Sequence, residues 1–244
     1  MRGLLVVAAV MVVSGVAHAG RTYYGWLYGT EVLPERGAEW SSWLQEQNGQ
    51  DPNNFHETRW WTAPLIGITD QLELALPIEL AWNVANDQNP RTTFDEYGAE
   101  LRYRLVSQDP IDAPGFVPLI RVALYRSIID RNAWIPQADF VLSYEQGPVH
   151  ALVDLGGYGE IDGVSSSHFE FHPGAGFSIR AFGDVRLGAE AHAELSFDDG
   201  SSGNWAVVGP NMAWSHGRTW LSAAYGIGVY GIRDAPRVQW GIAF

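Results

Sequence analysis

Between residues 71 and 84 the side chains sort into two sets with a period of two. One set is Leu72, Leu74, Leu76, Ile78, Leu80, Trp82 and Val84. The other is Gln71, Glu73, Ala75, Pro77, Glu79, Ala81 and Asn83. A helix would scatter both sets around its circumference, whereas an extended strand gives each its own face. The stretch therefore reads as one long strand with a continuous apolar face. A slip of one residue would carry Glu73 and Glu79 into the apolar phase, so the register is firmly set. The stretch is longer than the five or six residues usual in soluble sheets and meets the roughly nine to eleven that a tilted strand needs to cross a bilayer.

The same alternation recurs along the chain. Tyr97, Ala99, Leu101, Tyr103 and Leu105 oppose Glu96, Glu100, Arg102 and Arg104; Ile120, Val122 and Leu124 oppose Arg121; Phe140, Leu142 and Tyr144 oppose Asp139 and Glu145. Further on, Val153 and Leu155 oppose Asp154, Phe177 and Ile179 oppose Arg180, and Val185, Leu187 and Ala189 oppose Arg186 and Glu190. Short connectors, such as Gly147-Pro148 and His216-Gly217-Arg218, alternate with longer polar ones. Counting from residue 38 gives roughly twelve strands, within a range of about ten to fourteen. The expected fold is all-β, a transmembrane antiparallel up-and-down barrel over residues 38–244, with apolar faces on lipid and polar faces on the lumen. Residues 20–37 are left over. They can be periplasmic, lumenal or an extra strand.

Export is expected on independent grounds. Arg2, the apolar run of residues 4–13 and Ala17-His18-Ala19 have the layout of a secretory signal peptide, with cleavage after Ala19. The run is too short to span a bilayer as a helix. There is no Cys, hence neither a disulfide framework nor a thiolate metal site. A net charge of -13 argues against nucleic acid as a partner.

The final residues alternate too: Val238, Trp240, Ile242 and Phe244 share a face. This stretch resembles the last strand of Gram-negative outer-membrane barrels. The resemblance implies that Trp240, Ile242 and Phe244 close the barrel and are read by the barrel-assembly machinery. Residues 28–37 (YGTEVLPERG), residues 67–74 (GITDQLEL) and Gly209-Pro210-Asn211 resemble motifs of uncharacterised proteobacterial outer-membrane barrels. Residues 67–74 are also similar to the periplasmic turn of the barrels grouped with phenol-degradation pathways. The likeness implies a fold, an outer-membrane location and contact with its lipid. It supplies no substrate and no catalytic residues.

The polar phase names the lumen lining: Glu73, Glu79, Glu100, Arg102, Arg104, Arg121, Asp139, Glu145, Asp154, Glu170, Arg180, Arg186, Glu190 and Glu194. Acids and arginines can cross-link there and still leave an acidic surplus. Within this set His168, Glu170 and His172 share one strand face, and His192 and Glu194 share the next. Cross-strand neighbours lie about 4.5–5.5 Å apart at Cβ, so these groups can form a divalent-metal site or an acid–base pair. A hydrogen-bonded network filling a polar lumen is the commoner use of such residues, and the sequence reading assigns no catalytic, cofactor or metal residue. Trp40, Trp60, Trp82, Tyr97, Tyr103, Tyr144, Trp214 and Trp240 mostly share the apolar phase and read as an interfacial girdle.

The function expected from the sequence is a narrow passive channel for small solutes or ions, or a structural barrel, and not an enzyme. Two alternatives stand beside it: a barrel hydrolase built on the His/Glu cluster, and a surface-binding barrel.

Overall fold

The alternating stretches form antiparallel strands that close on themselves. The structure is a computed structural model and describes residues 22–50, 54–84, 91–107, 115–129, 132–162, 166–197 and 203–244. The leader expected at residues 1–19 lies outside the described residues. The strands are β1 (Ala38–Gln50), β2 (Phe55–Gly67), β3 (Leu72–Ala75), β4 (Ile78–Val84), β5 (Arg91–Arg104), β6 (Gly115–Ser127), β7 (Ala133–Gln146), β8 (Val149–Asp162), β9 (Ser166–Phe182), β10 (Val185–Ser196), β11 (Trp205–His216), β12 (Thr219–Tyr230) and β13 (Asp234–Ala243). Among the described residues no helix is long and apolar enough to cross a membrane.

Sequence neighbours pair in order, and β1 pairs with β13 to close the ring. Trp40 sits opposite Ile242 and Leu44 opposite Val238. The N–H of Phe244 donates to the carbonyl of Ala38 at 2.9 Å. β3 and β4 are two halves of one stave, both lying between β2 and β5, so the barrel has twelve. The sequence reading expects that stave to be continuous. It breaks at Leu76-Pro77 because proline has no N–H for the ladder. Bonds from Leu76 N–H to Pro64 O (3.2 Å) and from Gly98 N–H to Pro77 O (3.1 Å) bridge the gap. The alternation survives the break: Glu73 and Glu79 are both buried, and Leu76 and Ile78 both face out.

The two walls are chemically opposite. Trp40, Leu101, Ile120, Val122, Phe140, Val153, Phe177, Leu187 and Met212 are exposed on the outside. Such a belt far exceeds the apolar patches of soluble monomers and matches a hydrocarbon surround. Inside, Glu73, Glu100, Arg121, Ser143, Asp154 and Glu190 are buried.

The two ends also differ. At one end β7–β8, β9–β10 and β11–β12 join through tight turns at Gly147, Gly183 and Gly217. Their φ values of 60°, 52° and 59° lie in the left-handed region that two-residue hairpins need. This is the turn end. The alternation of connector lengths is not strict. At the turn end β5 stops at Arg104 and β6 starts at Gly115, a longer separation in sequence than the two-residue turns, and residues 231–233 make a short link at the loop end.

Residues 22–37 form no strand. Residues 22–33 run inside the barrel, and residues 34–36 are exposed. Tyr24, Trp26 and Leu27 belong to one buried cluster with Leu119, Val141, Leu152, Trp205, Val207, Ala224 and Ala235, which come from β6, β7, β8, β11, β12 and β13.

Candidate functional site

An irregular backbone inside a barrel has no ladder partner, so its polar groups must be met by side chains of the wall. They are. The Glu190 carboxylate accepts the N–H of Gly25 (2.7 Å) and of Trp26 (2.9 Å). Asp154 accepts from Tyr28 N–H at 3.0 Å and Glu73 from Leu33 N–H at 2.8 Å. Going the other way, Arg102 donates to Gly29 O at 2.6 Å and Ser222 to Tyr24 O at 2.8 Å. Thr30 and Ser143 hydroxyls lie 2.6 Å apart. The Tyr24 hydroxyl lies 2.9 Å from His150 Nδ1. Burial pushes this phenol well above its usual range, so it stays protonated.

The wall is also shaped for the segment. A β-carbon at Gly174 would overlap the Leu27 side chain, and one at Gly176 would overlap the Tyr24 ring. Both glycines sit on β9 in the lumen phase, between His172 and Ser178. Their missing side chains make the groove in which Tyr24 and Leu27 seat. Arg121 caps Tyr28 with its guanidinium 4.3 Å from the ring centroid, and Arg186 caps Tyr23 at 4.1 Å. Trp26 stacks on His192 at 5.1 Å.

The segment divides the lumen. Beside it lie small cavities of about 40 and 20 Å³. On its loop side the barrel opens into a vestibule of about 570 Å³. Six carboxylates line this space: Glu57, Glu79, Glu96, Glu160, Glu170 and Glu194. Arg59 and Arg237 are the arginines among its lining residues. Arg59 pairs with Glu57 (2.6 Å) and Glu79 (3.3 Å). The remaining acids outnumber the guanidiniums, so the vestibule is acidic.

The lining residues named from the sequence fall into four groups, with Arg180 apart. Glu73, Arg102, Asp154 and Glu190 hold the segment. Arg121 forms a buried network: Nε donates to Glu100 at 2.8 Å, Nη1 to Asp139 at 2.6 Å, and Tyr125 donates its hydroxyl to Glu100. Glu145 and Arg186 pair at 3.5 Å nearer the turns, where Arg104 donates to Asp70 O at 2.9 Å. Glu79, Glu170 and Glu194 face the vestibule. Arg180 departs from the set: it is exposed near the turn end, four residues before Asp184 of the β9–β10 turn. Trp240 is half-buried on β13, and Ile242 and Phe244 are exposed on the outer wall.

The His/Glu cluster is brought together. His168 Nε2 and His172 Nε2 lie 2.7 and 2.8 Å from the two oxygens of Glu170. Glu194 accepts from Trp205 Nε1 at 2.9 Å and lies 3.8 Å from His192 Nε2. Sequence reasoning did not single out Tyr24, Trp26, Leu27 or Tyr28 as site residues. The usable signal was the pair of lumen-phase glycines on β9, facing an aromatic-rich leftover segment.

No protein-family model matches the chain, and no curated protein sequence matches it. Solved structures do match its fold. The NanC porin aligns with a TM-score of 0.54 at 9% identity, over 83% of this chain and 98% of the porin. The COG4313 outer membrane channel of Pseudomonas putida F1 aligns at 0.57 with 12% identity, over 88% and 98%. The translocator domain of the autotransporter NalP from Neisseria meningitidis aligns at 0.52 with 10% identity, over 100% and 94%. The chain has the fold of an outer-membrane β-barrel.

Proposed function

We propose that this protein is a narrow passive channel of the outer membrane for small solutes and ions, favouring cations, and closed at rest by its own N-terminal segment. The observation that carries the proposal is the acidic vestibule of about 570 Å³ that meets the N-terminal segment at Tyr28. Carboxylates in excess of guanidiniums, set in a low-dielectric wall, attract cations and repel anions. The volume suits a small solute and not an oligosaccharide.

The closure is of a kind that can open. Residues 22–33 are held by side-chain hydrogen bonds and packing, not by a strand ladder, so they can leave without dismantling a stave. Short turns mark the periplasmic end of such barrels, so in this reading the segment lies on the periplasmic side and the vestibule faces the exterior. Two of the similar structures are named as a porin and a channel, which agrees with this reading.

Reversal potentials of the purified protein in planar bilayers across a KCl gradient test the proposal. A potential of the sign set by cation permeation is expected. Clear anion preference would reject it.

A further inference from the structure

We propose that Glu170, His172 and Glu194 form a site for one divalent first-row transition-metal ion in the wall of the vestibule. The proposal goes beyond the channel reading and holds independently of whether the barrel conducts.

Glu170 and His172 are two residues apart on β9 and so share a face. The pairing of Leu195 with Phe171 and of Ser196 with Glu170 brings Glu194 of β10 alongside. One carboxylate oxygen from each glutamate and one ring nitrogen of His172 lie within 4.8 Å of one another. Metal–ligand bonds of about 2.0–2.2 Å in a tetrahedral shell put ligand atoms about 3.3 Å apart. Closing onto an ion therefore asks for a shift of roughly 1–1.5 Å at two flexible glutamate tips. The ion would replace the hydrogen bond that now joins His172 to Glu170.

Three features distinguish the cluster from a network that fills its own space. First, all three ligands line an open cavity, so a remaining coordination position can be taken by water or a passing solute. Second, each ligand is already oriented from behind. His168 holds the far oxygen of Glu170, Trp205 Nε1 holds Glu194, and the Tyr158 ring stacks on His172 at 5.9 Å and 20°. Such outer contacts are what metal ligands rely on for position. Third, two carboxylates match the charge of a dication, and the imidazole with carboxylate oxygens suits Zn²⁺ better than a soft monovalent ion. Arg59 and Arg237 line the same vestibule and oppose any cation there, but they are outnumbered by its acids.

The test is Zn²⁺ titration by calorimetry of the mature protein, purified in detergent and stripped with a chelator. Close to one equivalent is expected to bind. His172→Asn and Glu194→Gln should each weaken binding roughly tenfold or more, while Glu57→Gln, elsewhere in the vestibule, should leave it unchanged. Heat-modifiable migration on gels verifies that each variant is folded. Should a variant not fold, nitrogen hyperfine coupling from one imidazole in the electron paramagnetic resonance spectrum of Cu²⁺-loaded wild type decides the matter. Wild type that binds no Zn²⁺, folded variants that bind as wild type does, or a Cu²⁺ spectrum without imidazole coupling would each overturn the proposal.

Discussion

The carboxylate of Glu190 accepts the backbone N–H of Trp26 at 2.9 Å. One residue belongs to a barrel stave and the other to a segment with no secondary structure, and the bond is made inside the lumen. Glu190 also takes the N–H of Gly25, so one side chain supplies what a neighbouring strand would otherwise give. Together with Asp154 and Glu73 it satisfies four amides of an irregular chain, those of Gly25, Trp26, Tyr28 and Leu33. Acids that read from the sequence as a pore lining thus serve first as anchors.

Glu190→Ala removes the acceptor of two buried amides, and each such loss costs about 1–3 kcal/mol. The anchored segment should loosen while the barrel stays intact. Hydrogen exchange in residues 22–33 should speed up, with the strands as protected as in wild type. Unchanged protection of residues 22–33 would show that packing of Tyr24, Trp26 and Leu27 alone retains the segment.

Arg121 is 1% exposed and bonds to both Glu100 and Asp139. Arg121→Ala leaves two carboxylates facing each other without their cation, and breaking a buried pair in this way costs about 3–5 kcal/mol. The exposed Arg180 should tolerate the same change within about 0.5 kcal/mol. Urea unfolding in lipid vesicles measures both. Equal stabilities for the two variants would contradict the network described around Arg121.

The barrel, its strand number and most of its lumen lining were legible because each rests on a local period of two. Arg121 opposing Asp139 across β6 and β7 follows from alternation plus hairpin register, and the structure shows that pair. Arg180 has the lumen phase, yet it sits near the end of a stave where the wall no longer encloses it. Phase fixes a face, not a depth. The N-terminal segment was illegible for a different reason. Tyr23, Tyr24, Trp26, Leu27 and Tyr28 have the composition of a strand, and whether such a run pairs or packs is decided by distant residues. Those residues are Gly174, Gly176 and Glu190, which lie more than a hundred positions away, so their role shows only when they are set beside the segment they receive.

The outer wall makes a separate prediction. Val122 is exposed at mid-strand on β6, and Phe116 is exposed near its turn end. An arginine facing lipid at the bilayer midplane costs about 2–4 kcal/mol, falling to about 0–1 near the interface. Val122→Arg should therefore destabilise the barrel in vesicles much more than Phe116→Arg. On a soluble β-barrel the outer face would meet water, and both variants would be nearly neutral.

In the proposed channel, residues 22–33 close a cation-favouring lumen. The decisive measurement is single-channel conductance of the wild-type protein against a variant lacking residues 22–33. Small or intermittent openings are expected for the wild type. The deletion should give a larger, steady conductance that keeps the cation preference, since the vestibule acids remain. A deletion variant that folds as a heat-modifiable barrel yet conducts no more than wild type would contradict it.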